Sequence, residues 1–288
     1  DTIAAIGDLS GSSSRTLLDA RGLAVTPGFI NMLSWAADGF LVDGRSQADI
    51  RQGVTLEIFG EGESMGPFTD TMIAEAVQSQ GDIKYAITWH TLGGYLDTLV
   101  ARGVSPNVAS FVGAATVRQY VLGHQSRPAT ADELARMQNL VRSAMREGAL
   151  GVGSSLIYEP GMFATTDELI ALARAAADNG GMYISHIRNE NDSLLDAVDE
   201  FLAIARESGA RSEIYHLKAA GRANWGRMDE VIRRVEAARA AGLPVTADMY
   251  TYPASATGLD AVMPGWVREG GFQQWRARLQ EPVVRRRL

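Results

Sequence analysis

Cysteine is absent from this 288-residue chain. Its absence excludes a disulfide framework and any thiolate metal site. Histidine is scarce, with four residues: His90, His124, His186 and His216. Long apolar runs are missing as well. None reaches the roughly 18 residues needed to span a bilayer, so no membrane association is expected. No signal-peptide pattern is visible, and a cytoplasmic location is the expectation. Positive charge is in deficit, 27 Lys and Arg against 34 Asp and Glu, for a net charge of −7. That balance argues against nucleic acid or an anionic membrane as the main partner.

What is present is an ordinary globular composition, 46% hydrophobic and 21% charged. The length suffices for one large domain or two small ones. Short, nearly continuous apolar runs recur at 28–34, 54–60, 107–113, 149–156, 181–187, 213–218 and 244–250. Such runs suit strands buried on both faces, as in a parallel sheet. From residue 105 onward they alternate with helical patterns. "TADELARMQNLVRSAMREG" opens with a capping box, Thr130 to Glu133, and puts Leu134, Met137, Leu140, Val141 and Ala144 on one face. "TTDELIALARAAADNG" repeats the device with Thr165 and Glu168. Two further amphipathic stretches stop at Gly209 and Gly242.

Successive βα units imply an open doubly wound sheet or a closed (β/α)₈ barrel. No Gly-x-Gly-x-x-Gly follows the first run, so a dinucleotide fold gains no support. The expected architecture is α/β, a (β/α)₈ TIM-type barrel present as about seven βα units over residues 27–288. Residues 1–26 read as a partial β-sandwich segment beside it. With one strand unaccounted for, the chain is expected to be a fragment that is inactive alone.

Two of the four histidines end consecutive predicted strands, His186 in "YISHIRNE" and His216 in "EIYHLKAAG". In a parallel barrel those ends converge on the face where active sites lie, so two imidazoles can reach one ion. Zinc suits imidazole plus carboxylate ligands and leaves a position open for water. "TLEIFGEGESMGP" offers Glu61 or Glu63 as the carboxylate. Other strand ends supply Tyr158, Arg188, Glu190, Lys218, Asp248, Tyr250, Tyr252 and Ser255, a polar set with cations suited to a carboxylate. His90 and His124 fall in helix or loop context without evident partners and read as structural. "GVGSS" (151–155) leaves room for a phosphate-binding barrel enzyme, ranked last because later glycine-rich loops are lacking.

The chain resembles the N-acyl-D-amino-acid deacylases (D-aminoacylases) of the amidohydrolase superfamily over essentially its whole length. The likeness rests on "DARGLAVTPGFIN", "RQGVTLEIFGEGESMGP", "GALGVGSSLIYEPG", "YISHIRNEND", "YHLKAAGRANWG" and "YTYPASATGL". The resemblance implies a metal-carrying barrel with a small β-sandwich built from both chain ends. It implies hydrolysis of the amide between an acyl group and a D-amino acid. His186 and His216 match zinc-binding histidines, Lys218 a residue near the substrate carboxylate, and Tyr158 a tyrosine of the substrate pocket.

Three positions depart from that pattern. The His-x-His of the first strand is Leu33 and Trp35 here, and the metal-binding cysteine of the second is Glu61. The family's catalytic aspartate belongs to an eighth strand, beyond Leu288. Asp248 is the one local candidate to replace it. The resulting expectation is a metal-dependent hydrolase of N-acyl (D-)amino acids or related linear amides. Its ligands are Glu61, His186 and His216 around one zinc ion, and Lys218, Tyr158, Arg188, Tyr250 and Ser255 bind the small-molecule substrate. The alternative is a non-catalytic, amidohydrolase-like binding protein that has lost the His-x-His position.

Overall fold

The computed structural model describes residues 2–288. Its strands lie where the apolar runs are: β1 (Phe29–Asn31), β2 (Val54–Phe59), β3 (Asn107–Ser110), β4 (Val112–Gly113), β5 (Gly151–Ser155), β6 (Met182–His186), β7 (Arg211–Ile214) and β8 (Val245–Ala247). All pairings are parallel, in the orders β1-β2-β3 and β4-β5-β6-β7-β8. The chain therefore has a parallel α/β fold. Residues 2–28 carry no strand or helix and are exposed at nearly every position, so the β-sandwich segment expected there is not formed among the described residues.

One expected strand is divided. The run 107–113 pairs with β2 through β3 and with β5 through β4. The hand-over falls at Phe111, whose N–H donates to Phe59 O at 2.9 Å, while Leu150 N–H donates to Ser110 O at 3.0 Å. The neighbours meet the run at different heights, so neither ladder covers its full length. Backbones crowd here. A Cβ on Gly60, whose φ is +107°, would lie 2.4 Å from Phe111 O. Only glycine tolerates both that conformation and that approach.

Helices α1 (Asp70–Ser79), α2 (Leu92–Arg102), α3 (Ala114–Leu122), α4 (Ala131–Arg146), α5 (Thr166–Ala177), α6 (Leu194–Ser208) and α7 (Met228–Ala240) occupy the spaces between strands. The capping box of α4 is complete. That of α5 is half made: Thr165 accepts from Glu168 N–H at 3.2 Å, but the Glu168 carboxylate turns to Arg118 at 2.5 Å instead of back to the cap. A buried guanidinium is a stronger partner than a backbone N–H the cap can leave to water.

The helices cover the outer face of the sheets in a large core that includes Val141, Val152, Leu169, Tyr183, Phe201 and Ile214. Burying each such side chain contributes roughly 1.5–3 kcal/mol. A separate small cluster joins Ile58, Phe111, Ile184 and Tyr215, from four different strand runs. This cluster draws side chains of both sheets together.

Candidate metal centre

The strand ends open into a cavity of about 790 Å³. Three side chains meet in its floor. β2 runs through Gly60 to Glu61, β6 ends at His186, and β7 is followed by Tyr215 and His216. A Cβ on Gly62 would lie 2.5 Å from Ser155 Cβ, so glycine there lets the Glu61 turn seat against β5. One donor atom from each of Glu61, His186 and His216 lies within 4.8 Å of the others, and all three residues are buried.

Glu61 Oε1 is 2.8 Å from His186 Nδ1 and 3.1 Å from His216 Nε2. The two rings stand at 89° with centroids 4.4 Å apart. Burial works against the Glu61 charge, but its bonds to the two histidines outweigh it and hold the carboxyl below the ordinary range. Glu63, the other carboxylate considered for this place, lines the cavity away from the histidines. Burial, reinforced by Glu159, pushes its carboxyl up.

Glu190 forms a second tier. Its Oε1 is 3.1 Å from His216 Nδ1, 3.9 Å from His186 Nε2 and 2.5 Å from Lys218 Nζ. Lys218 Nζ is also 2.9 Å from His216 Nδ1 and 5.4 Å from the centre of the Tyr250 ring. Burial alone would lower the His216 pKa; the bonds to Glu190 and Glu61 prevail and raise it to about 9. His186 Nε2 is buried and has no hydrogen-bond partner. An unpaired buried nitrogen is costly, and a bound cation would satisfy it.

Lys218, Tyr158, Tyr250 and Ser255 all line the cavity, as do Leu33 and Trp35. Tyr158 and Thr257 share a 2.5 Å hydroxyl contact across its mouth. Arg188 is not brought to the cavity. Its guanidinium is held by Glu200, at 2.8 and 2.9 Å, and by the carbonyls of Met162 and Ala164. Asp248 is also outside the lining; its Oδ1 accepts from the His216 backbone N–H at 2.5 Å. "GVGSS" is strand β5, buried at all five positions, which leaves no loop to cradle a phosphate. His90 and His124 do have partners: His90 Nε2 is 2.9 Å from Asp70, and His124 Nδ1 is 3.0 Å from Glu159. The positions of Glu190 and Asp248 around His216 had no signal in spacing, because both contacts depend on how separate βα units meet.

No family model matches the chain. A D-aminoacylase from Alcaligenes xylosoxydans xylosoxydans is 35% identical over 262 residues, covering 89% of this chain and 53% of the relative. The chain is similar to the N-acyl-D-amino-acid deacylases. It spans about half the length of the curated relatives it matches. Two solved structures of the family superpose closely. One is a D-aminoacylase described by a binuclear metal centre with one-metal activation and second-metal attenuation. It has a TM-score of 0.77 and 33% identity, over 87% of this chain and 52% of that one. The other is the N-acyl-D-glutamate deacylase of Bordetella bronchiseptica, complexed with zinc and a phosphonate mimic of the tetrahedral intermediate. Its TM-score is 0.76 at 33% identity, over 87% of this chain and 52% of that one. No helix among the described residues is long and apolar enough to cross a membrane.

Proposed function

We propose that Glu61, His186 and His216 hold one zinc ion, and that the cavity above them hydrolyses the amide bond of N-acyl-D-amino acids. The observation that carries this reading is the convergence of two buried imidazoles and one buried carboxylate from three strand ends. Two imidazole nitrogens and a carboxylate suit zinc and leave a coordination position open. The unpartnered Nε2 of His186 fits the same conclusion. The single ion follows from Leu33 and Trp35, which have no ligand atoms where the family's His-x-His would stand. The related D-aminoacylase, described with one-metal activation, supports an active one-ion site.

When bound, the zinc ion lowers the pKa of a water toward about 7 and polarises a carbonyl. The chain's own residues do the rest. Lys218 pairs with the substrate carboxylate, exchanging part of its bond to Glu190 for it. Tyr158, Tyr250 and Ser255 supply hydroxyls along the wall, and Leu33 and Trp35 give apolar surface for acyl or side-chain carbons. The proton for the leaving amine is the task of a carboxylate. Asp248 accepts from the His216 backbone and does not line the cavity, so it is not placed to perform this step. Seven parallel runs in sequential order with converging ends support a (β/α)₈ barrel over 27–288.

The test is zinc content and turnover of the full-length protein on N-acetyl-D-amino acids and their L counterparts. Stoichiometric zinc with hydrolysis of the D series is the expected result. A zinc-free protein that binds these compounds without cleaving them would favour the non-catalytic reading, to which Leu33 and Trp35 also lend themselves.

A further inference from the structure

Glu57, on β2, is fully buried, and each of its oxygens is met by a hydroxyl. Ser34 Oγ donates to Oε2 at 2.6 Å and Ser46 Oγ to Oε1 at 2.5 Å. A carboxylate taken out of water is costly unless its oxygens are bonded, so both hydroxyls are needed. Ser46 gives up other interactions to be there. It precedes the helical turn Gln47–Ile50, where a serine hydroxyl ordinarily caps a backbone N–H, yet it makes no cap bond. It also holds a φ of +42°, which a residue with a Cβ resists. The bond to Glu57 accounts for both. Ser34 is the other anchor. Its N–H donates to Ile58 O at 2.9 Å, and its hydroxyl accepts from Ala36 N–H at 3.2 Å. Glu57 thus staples the segment 34–46 at both ends to the outer face of β2, the face that Phe59 shares with Phe40 in the large core.

What the staple fixes is the direction of the residues beside Ser34. With Ser34 turned outward, Leu33 and Trp35 turn inward, and both line the cavity. Leu33 packs against the inner cluster, and Trp35 stays 68% exposed. An indole face left bare in a cavity favours an apolar ligand, because it offers a large apolar area. The layout of the strand ends selects which part of the substrate this is. Lys218, at the exit of β7 in the five-stranded sheet, draws the substrate carboxylate and with it the amino-acid half. Leu33 and Trp35 come from the exit of β1 in the other sheet, beside the strand that carries Glu61. With the scissile carbonyl held at the three ligands, that wall is left for the acyl half.

We propose that Glu57 is a positioning residue for this apolar wall, and that the wall takes the carbons of an acyl group longer than acetyl. The acyl assignment rests on the hydrolase reading, whereas the staple stands without it.

The experiment uses the full-length, zinc-loaded protein with N-acetyl-, N-butanoyl- and N-hexanoyl-D-alanine. kcat/KM should rise about four-fold for each methylene that the wall covers. Glu57→Ala should flatten that rise while zinc content stays at the wild-type level. Ser46→Gly is the milder variant, since glycine accepts the positive φ and only the hydroxyl is lost; it should flatten the rise in part. Glu57→Gln should restore most of the slope, because its amide can still bond both hydroxyls. A readout free of turnover is the indole ¹⁵N–H signal of Trp35, identified by its loss in Trp35→Phe. It should shift on adding N-hexanoyl-D-alanine, and shift less in Ser46→Gly. No turnover of any of the three compounds would count against the hydrolase reading, and the indole signal would still decide the wall. A flat series in wild type, an indole signal indifferent to the hexanoyl compound, or a wild-type slope in Glu57→Ala would overturn the proposal.

Discussion

The four histidines divide into two pairs with opposite surroundings. His186 and His216 end adjacent strands, are buried, and share one carboxylate, Glu61. His90 and His124 lie among the helices, where each meets carboxylates of its own at the rim. His90 faces Asp70, and His124 faces Glu159 and Glu75. The residue type is the same and so is the first partner. What differs is convergence. At the strand ends two rings and a carboxylate aim at one point, whereas in the helical layer each ring ties two elements together. A histidine beside a carboxylate is thus a weak signal; two beside the same buried carboxylate make a candidate metal centre.

The largest expected effect sharpens this comparison directly. His216→Ala or His186→Ala should abolish zinc binding. The loss should exceed about 100-fold, the upper range for removing only an outer partner of a ligand. His90→Ala should leave zinc affinity unchanged. Equilibrium dialysis of the full-length protein with zinc decides it, and equal losses at His90 and His216 would erase the distinction drawn here.

The helical layer has its own high-stakes contact, and it involves no histidine. Arg118 is fully buried, bonded to Glu168 at 2.5 Å and to the carbonyls of Gln125 and Arg127. Burial pushes the Glu168 carboxyl up, against the pull of Arg118. Removing one partner strands a charge in the core, so Arg118→Met should cost about 3–5 kcal/mol in urea unfolding. The double variant Arg118→Met/Glu168→Leu should recover most of it. Zinc affinity should be unaffected by either, which separates stability in the outer layer from ligation at the strand ends.

How much of this was legible in the sequence follows from the range of each interaction. Every one of the seven apolar runs holds a strand, because double-sided burial writes itself into local composition. The two histidines at matching strand ends were legible for the same reason. The division at Phe111 was not, since it depends on the heights of two neighbouring strands. The choice of Glu61 over Glu63, two residues apart in one turn, came from the resemblance and not from spacing. Arg188 looked like a pocket cation from its place after His186. Its side chain instead reaches sideways to Glu200 on α6, a partner that only helix packing supplies. The partners of His124 come from positions 75 and 159, beyond the reach of any spacing argument.

A smaller effect is expected at the cavity wall. Lys218→Ala should raise KM for N-acyl-D-amino acids by about 10–100-fold, the worth of a hydrogen bond to a charged group. Zinc content should change little by comparison. Steady-state kinetics with parallel metal analysis distinguishes the outcomes. Loss of zinc with an unchanged KM would move Lys218 from the substrate to the support of His216.

The smallest effect belongs to His124 and is visible only as a pH dependence. Its bond to Glu159 raises its pKa above the ordinary value; burial opposes this, and the charges of Glu159 and Glu75 add to it. A histidine whose folded pKa is raised contributes stability that is fully present below its unfolded pKa, near 6.5, and is lost as pH rises through the folded value. His124→Gln should therefore be less stable than wild type at pH 6, by about 0.2–1 kcal/mol, as for other partly exposed ion pairs. The gap should narrow at alkaline pH, once the ring is neutral in both folded and unfolded chains. Added salt should narrow it too, because Glu75 is nearly half exposed and its charge is screened. His90→Gln provides the contrast: Asp70 is 96% exposed, so that pair should contribute nothing measurable at any pH. Thermal melts of the three proteins across pH 6–9 make the comparison. A gap that widens with pH would mean His124 is held neutral in the fold, and that its carboxylate neighbours do not govern it.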